Sequence, residues 1–263
     1  MVEIIDIHCH LTFKDYDADR EQVIADAKQV LNGVVVSGVE QEDGKKALAL
    51  AAQHHGFLFV TLGLHPIYVE KKKDQEIERY AEFISEHKHE IVGIGEIGLD
   101  YHWVREPGKL ERTREVFVEF LALAKELKLP AILHLRGTGS EAIEEGLKIV
   151  SDEDVKQAVF HCFTGKPHVA ETICKEGYYL SLPTTIARSK SMRKVAKRIP
   201  LSQLLTETDA PYLAPEGEAR NTPQKVNVVY EEIAQQKKIP VRTVDEEIER
   251  NFERVFGVTL RKR

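Results

Sequence analysis

Two histidines lie one residue apart near the N-terminus, where a short apolar run ends. They are His8 and His10, in the segment Ile4-Ile5-Asp6-Ile7-His8-Cys9-His10. Because side chains alternate faces along a strand, residues two apart point the same way, and both imidazoles would aim at one point. Imidazole is a common ligand of divalent transition metals. Alone, the pair fits a metal site or a surface turn equally well, so further ligands elsewhere must decide.

Further polar side chains end, or closely follow, other apolar runs of the chain. They are His65, Glu96, His134, Arg136, His161, Glu207 and Asp209. If the apolar runs are parallel strands of one barrel, their carboxyl ends meet in one rim, where active sites lie. The spacing therefore predicts that these side chains converge on one site.

The number of imidazoles and carboxylates predicts two metal ions. A single catalytic zinc-like ion usually takes three protein ligands and a water, whereas six ligands are available here: His8, His10, Glu96, His134, His161 and Asp209. Glu96 has two carboxylate oxygens and can bridge the two ions, with His8, His10 and Asp209 on one side and His134 and His161 on the other. Asp209 can also accept the proton of a water, so Glu96 and Asp209 are the predicted catalytic residues. Asp6 and Glu207 are candidates for supporting the ligands, and Asp100 is predicted to be a loop cap.

The elements that must position these side chains follow a regular alternation. Apolar runs cover residues 4–8, 34–38, 57–62, 91–95, 131–135, 158–161, 178–182 and 204–208. Amphipathic stretches of helical period lie between them, at 17–31, 43–55, 76–87, 110–127, 140–150, 167–176 and 191–199. This alternation predicts the α/β class, as one (β/α)8 TIM barrel over residues 1–263. Two additional C-terminal helices, at 223–237 and 244–256, would pack outside it.

A doubly wound open sheet is the alternative fold. Its dinucleotide fingerprint follows the first strand, where this chain has His8-Cys9-His10 instead. The glycines of Gly93-Ile-Gly-Glu-Ile-Gly98 imitate the fingerprint. However, residues 91–95 are themselves a predicted strand and no helix begins at Gly98, so we reject this alternative.

Composition excludes several classes of protein. The chain has 263 residues, 42% of them hydrophobic, which is enough for a core. A net charge of −6 argues against a general nucleic-acid coat protein. The apolar runs are too short to span a membrane, and the N-terminus lacks the features of a signal peptide. Cys9, Cys162 and Cys174 show no disulfide pattern. We predict that Cys9 and Cys162 are small buried residues and that Cys174 is an inert residue on a helix face. We therefore expect a cytoplasmic protein with no membrane association and no obligate protein partner.

The segments that carry these side chains resemble the TatD family of metal-dependent hydrolases and nucleases, within the amidohydrolase-like barrels. The matching segments, in the family's order, are Asp6-Ile-His-Cys-His10, Leu62-Gly-Leu-His-Pro66, Gly93-Ile-Gly-Glu-Ile-Gly-Leu-Asp-Tyr101, Leu129-Pro-Ala-Ile-Leu-His-Leu-Arg136, Val159-Phe-His-Cys-Phe-Thr-Gly165, Glu207-Thr-Asp-Ala-Pro-Tyr-Leu-Ala-Pro215 and Arg220-Asn221. The resemblance implies a deoxyribonuclease that cleaves phosphodiester bonds with a two-metal-activated water. It also implies the same six ligands.

Three residues are predicted to face the substrate. The resemblance places His65 and Arg136 there, and a guanidinium suits a phosphate. Glu207 is the third candidate, although Arg136 could instead pair with a rim carboxylate such as Glu207. The chain departs from the family at Gly137 and in the turn Leu182-Pro-Thr-Thr185, which leaves the substrate preference open.

We expect DNA as the substrate, single-stranded or at its ends. A segment without acids, residues 188–198, carries six basic residues and could attract a polyanion or simply be a solvated helix face. One alternative function is a metal-dependent esterase or amidohydrolase of the same barrel, including one that acts on aminoacyl-tRNA esters. The other is a metal-free binding or scaffold protein. The ligand types suit Zn, Mn, Fe or Ni, and Mg less well.

Overall fold

Eight parallel strands form the wall that positions the site, in the computed structural model that describes residues 4–260. The strands are β1 Ile4–Cys9, β2 Leu31–Gly38, β3 Leu58–Leu62, β4 Gly93–Asp100, β5 Ala131–Arg136, β6 Ala158–Phe160, β7 Tyr179–Leu182 and β8 Leu204–Thr206. Each pairs in parallel with its neighbour in the chain, in the order β1 to β8. The sheet closes where His10 N–H donates to the Ala210 carbonyl over 2.7 Å and Asp209 N–H donates to the His8 carbonyl over 3.0 Å. The predicted barrel is confirmed.

Helices connect the strands and cover the outside of the barrel. They are α1 Arg20–Val30, α2 Gln41–Gln53, α3 Pro66–Val69, α4 Asp74–Glu86, α5 Pro107–Leu127, α6 Glu141–Asp152, α7 Pro167–Lys175, α8 Lys190–Arg198, α9 Asn227–Lys237 and α10 Val241–Phe256. The two additional C-terminal helices, α9 and α10, are confirmed. The sequence did not predict α3, a single turn that begins directly after His65. Within the described residues, we find no helix long and apolar enough to cross a membrane.

The core explains why the strands are continuous apolar runs. All eight residues of β2 are buried, because one face of the strand lines the barrel interior and the other lies under the helices. Each helix buries one stripe only, as α10 does with Ile248, Phe252 and Val255. The strand ends are therefore held by packing on both sides, which fixes where their last side chains point.

Two strands, β2 and β4, extend three or more residues beyond the predicted range at one end. β2 begins at Leu31, which pairs with Ile4, because α1 ends at Val30. β4 continues to Asp100 instead of ending at residue 95, and its later residues pair with β5. Gly98 has a φ of 142° and lies so close to the His134 carbonyl that a Cβ could not fit. The glycines that imitate a nucleotide fingerprint thus allow β4 and β5 to approach each other.

Candidate metal centre

The six predicted ligands converge at one end of the barrel. His8 lies in β1 and His10 just after it; Glu96 lies in β4 and His134 in β5; His161 and Asp209 follow β6 and β8. Their side chains are almost entirely buried, with a maximum exposure of 16% for His134 and Asp209. The donor atoms form two groups, which share Glu96.

The first group surrounds Oε1 of Glu96. The Nε2 atoms of His8 and His10 lie 3.3 and 3.4 Å from this oxygen. The same nitrogens lie 3.8 and 3.3 Å from Oδ1 of Asp209. Ligand atoms about 2.1 Å from one tetrahedral ion are separated by roughly 3.4 Å. The first group therefore has the spacing of donors around a single cation.

The second group surrounds Oε2 of Glu96. Nε2 of His161 lies 3.0 Å from this oxygen, and Nδ1 of His134 lies 3.3 Å from it. The two imidazole nitrogens are 3.3 Å apart. The two oxygens of one carboxylate thus face two different sets of imidazoles, which is the arrangement of a bridging ligand.

Unpaired buried atoms test whether this donor set fits a metal. Nε2 of His8 and Oε1 of Glu96 are buried and have no hydrogen-bond partner among the described residues. Buried polar atoms nearly always have partners, and these two atoms are placed where a cation between them would be such a partner. Nitrogen and carboxylate donors suit Zn, Mn, Fe and Ni, and the residues therefore fit a divalent ion.

The charges of the site are strongly coupled. Burial works against the ionisation of Glu96, but the nearby imidazoles, above all His8, bring its pKa well below the usual value. Burial also disfavours a charged His10, but Glu96 and Asp209 raise its pKa to about 9. At neutral pH Glu96 is therefore ionised and His10 carries a proton.

Asp100 supports one of the ligands. Its Oδ2 accepts a hydrogen bond from Nε2 of His134 over 3.0 Å, which leaves the Nδ1 lone pair of His134 free to face Glu96. Its Oδ1 accepts the backbone N–H groups of His102 and Trp103, each over 2.9 Å, so it also caps the loop as predicted. The sequence did not reveal the contact with His134 because β4 was predicted to end five residues earlier.

Glu207 and Asp6 lie behind the ligands. Glu207 is fully buried, with Oε1 3.6 Å from Nδ1 of His161 and Oε2 accepting from Ser181 Oγ over 2.6 Å. It does not line the cavity, and this placement favours support of His161 over the predicted contact with substrate. The Asp6 carboxylate accepts from the backbone N–H and the hydroxyl of Thr208 over 2.9 and 2.5 Å. It fastens β1 to the segment after β8 and has no hydrogen bond to the imidazole of His8.

A cavity of about 690 Å³ opens over the metal centre. His65 lies on its wall, with Nδ1 accepting from the Ile67 N–H over 3.3 Å and Nε2 3.8 Å from Oε2 of Glu96. Burial, and then the neighbouring His134, lower the pKa of His65 to about 3. The imidazole is therefore neutral, with its proton on Nε2, where it can donate to a bound substrate.

Arg136 lies on the same cavity wall and its side chain is exposed. Among the described residues its guanidinium has no ion pair, and the alternative pairing with Glu207 is not observed. Trp103, in the loop after β4, also lines the cavity, as do three residues that the sequence had not assigned: Phe13, Tyr68 and Tyr212. Cys162 lines it as well, with a φ of 47°, so the prediction that this cysteine is merely packed inside is wrong, whereas Cys9 and Cys174 are buried.

Arg220 and Asn221, which matched the family only by motif, have structural contacts. Arg220 forms a two-pronged ion pair with Asp19 over 3.0 and 2.7 Å. The fully buried Asn221 side chain donates to the Thr208 carbonyl over 2.9 Å and to the Thr184 hydroxyl over 3.2 Å. Both residues thus hold the loop that carries Asp209.

Comparison with known proteins agrees with this geometry. The model of the family described as TatD related DNase matches residues 5–257. A deoxyribonuclease, TATDN3 from Homo sapiens, is 32% identical over 97% of this chain and 95% of its own length. An uncharacterized metal-dependent hydrolase from Methanocaldococcus jannaschii is 34% identical over 97% of each chain. The crystal structure of the TatD homologue YjjV from Escherichia coli superposes with a TM-score of 0.87, at 30% identity, over 98% of this chain and 99% of that one.

Proposed function

Because this chain belongs to the family of TatD-related DNases, we propose that it hydrolyses phosphodiester bonds of DNA with two divalent ions. One observation carries this proposal: the two carboxylate oxygens of Glu96 face two different sets of imidazoles. His8, His10 and Asp209 would hold one ion together with Oε1 of Glu96. His134 and His161 would hold the other together with Oε2.

Bound divalent ions at this centre would lower the pKa of a water and neutralise charge on the phosphate oxygens. Asp209 would take up the proton of that water. Burial opposes ionisation of Asp209, but the hydrogen bond and charge of His10 lower its pKa. At neutral pH Asp209 is therefore an ionised carboxylate that can accept a proton.

His65 and Arg136 would bind the substrate. The Nε2–H group of the neutral His65 faces the cavity beside the second group of donors. The guanidinium of Arg136 lies on the cavity wall and has no carboxylate partner among the described residues. It can therefore form two parallel hydrogen bonds to a phosphate.

A metal and substrate panel tests the proposal. The protein, purified without chelator, is analysed for bound metal and then assayed with Mg²⁺, Mn²⁺ or Zn²⁺. The substrates are labelled DNA, carboxylic esters and an aminoacyl-tRNA. We expect about two ions per chain and release of nucleotides. Asp209→Asn should lose this activity, whereas the exposed Asp152→Asn serves as the matched control.

Two results would contradict the proposal separately. If esters are hydrolysed and no metal supports the release of nucleotides, the protein is an esterase or amidohydrolase of the same barrel and not a nuclease. A metal content near zero that His134→Ala does not change would exclude the metal-dependent mechanism and leave a binding protein.

A further inference from the structure

Two large aromatic side chains remain exposed at the mouth of the metal-centre cavity. Trp103 is 66% exposed and Tyr212 is 54% exposed, and both line the cavity. Within residues 4–260 only one other large hydrophobic side chain is classed as exposed, Val30, which lies away from this cavity. Exposed aromatic rings beside a polar site are typical of a binding surface, because each ring combines a large apolar face with a polar N–H or O–H group that can stay in contact with water.

The two rings stand on opposite sides of the barrel rim. Trp103 lies in the loop after β4, and Tyr212 lies in the loop after β8. In a barrel with the strand order β1 to β8, these two strands are four positions apart and therefore face each other across the axis. The metal centre lies between them, because Glu96 comes from β4 and Asp209 follows β8.

Each aromatic residue is attached to an acidic residue of the centre. The Trp103 N–H donates to Oδ1 of Asp100 over 2.9 Å, and the other oxygen of Asp100 contacts His134. The Tyr212 N–H donates to the Asp209 carbonyl over 2.9 Å. The Tyr212 ring also packs edge-on against His10, at 6.1 Å between ring centroids. Since a hydrogen bond already holds the backbone of each residue, a ligand that stacks there does not have to order the loop first.

We propose that Trp103 and Tyr212 stack on the unpaired bases at either side of the scissile phosphate and so select single-stranded nucleic acid. The inference rests on the proposed function and adds two base-binding residues to it. A phosphodiester at the centre carries one nucleoside on each side, and the two rings stand on two opposite walls. Stacking needs an open base face, which a paired strand does not offer, and it tolerates any base sequence.

The chain allows a direct measurement, because Trp103 is its only tryptophan. Metal-loaded protein is titrated with an oligothymidylate of about eight nucleotides whose phosphorothioate linkages resist cleavage. We expect saturable quenching of the Trp103 emission. An oligomer of equal length with abasic sugars should bind more weakly and cause no quenching, because it keeps the phosphates and lacks the bases.

Variants separate stacking from other contacts. Trp103→Ala and Tyr212→Ala should each weaken binding of a fluorescently labelled oligothymidylate by about 5- to 100-fold. Trp103→Phe and Tyr212→Phe should retain most of the affinity, because they keep a ring. Val30→Ala is the matched control, since it removes exposed apolar surface away from the cavity. The alanine variants should also bind the abasic oligomer as tightly as the unmodified protein does.

The possible failures are distinguishable. If the abasic oligomer or a duplex binds as tightly as the single strand, with unchanged Trp103 emission, the stacking inference is wrong even if the protein cleaves DNA. If quenching and the variant effects are present but no metal supports cleavage, the stacking inference stands and the proposed function is wrong.

Discussion

The two halves of the metal centre are built differently. The β1–β8 half consists of His8, His10, Asp209 and Oε1 of Glu96, and so has four donors. The β5–β6 half consists of His134, His161 and Oε2 of Glu96, and has three. The halves differ again behind the imidazoles: among the described residues, a carboxylate lies within 3.6 Å of an outer imidazole nitrogen only in the β5–β6 half.

The partners of the outer imidazole nitrogens also differ, and the half with fewer donors is the one that has carboxylates there. In the β5–β6 half the outer nitrogens of His134 and His161 face Asp100 and Glu207, at 3.0 and 3.6 Å. In the β1–β8 half Nδ1 of His10 lies 3.3 Å from the Ser37 carbonyl, and Nδ1 of His8 has no partner among the described residues. A carboxylate behind an imidazole orients it and makes it a stronger ligand. One half therefore has more ligands, and the other has carboxylates that support its ligands.

Removing the shared residue, Glu96, should weaken metal binding in both halves. Glu96→Ala takes one donor from each half, and it leaves the imidazoles without the carboxylate that faces all four of them. We expect the metal content to fall from about two ions per chain to less than one, and nuclease activity to fall at least about 1000-fold. Elemental analysis and the DNA assay measure both. The exposed Glu90→Ala is the control, and retention of two ions in Glu96→Ala would contradict the bridging role.

Removing one imidazole from one half at a time should show whether the two halves bind metal independently. His8→Ala should empty the β1–β8 half and leave the ion between His134 and His161 at least partly bound. His134→Ala should do the reverse and more completely, because it leaves two donors in its half, whereas His8→Ala leaves three. We expect about one ion per chain in each variant and a loss of activity of roughly 100-fold or more. Anomalous scattering from crystals identifies the occupied half. Loss of both ions in either variant would show that the halves are not independent.

Protons should compete with metal in both halves. Charged neighbours outweigh burial and raise the pKa of His10 to about 9, and they also raise the pKa of His134 and His161. Below those pKa values the imidazoles carry protons that a cation must displace. Metal affinity should therefore rise with pH, by about tenfold per unit for each proton released, between about pH 6 and pH 8. Calorimetry in two buffers of different ionisation enthalpy counts the protons. An affinity that does not change over this range would contradict the competition.

The sequence was sufficient to predict the barrel and the six side chains that converge at one end of it, because both depend on strong local patterns. The spacing of His8 and His10 already defines a common face of a strand. Glu96, His134 and His161 then follow from their positions at the ends of apolar runs. The division of ions around Glu96 also follows from chemistry alone, since a carboxylate has two oxygens. That division is still a proposal, which the variants above test.

The support around the ligands could not be predicted, because it depends on strand ends and on long-range packing. Asp100 reaches His134 only because β4 extends along β5 past Gly98, and that extension is a property of the strand pair. The placement of Glu207 behind His161 likewise requires the neighbouring Ser181 of β7. The imidazole nitrogen that faces the centre is Nδ1 in His134 and Nε2 in the other three ligands. In His134 the outer Nε2 is hydrogen-bonded to Asp100, and the spacing of the ligands in the sequence does not reveal this orientation.

The smallest expected effect tests the support itself. Asp100→Asn preserves the size of the side chain and the acceptor oxygen that caps the Trp103 turn, but its amide N–H₂ cannot accept from Nε2 of His134. His134 should therefore move its proton to Nδ1, where it blocks the lone pair that faces Oε2 of Glu96. We expect metal affinity in the β5–β6 half to fall by about 10- to 100-fold while the β1–β8 half keeps its ion. Competition with a chelator measures both affinities, and Glu207→Gln is the counterpart at His161, with a smaller effect because the contact there is longer. The Trp103 emission monitors whether the capped turn is intact. If Asp100→Asn with an intact turn weakened the β1–β8 half instead, support by outer carboxylates would not explain the difference between the halves.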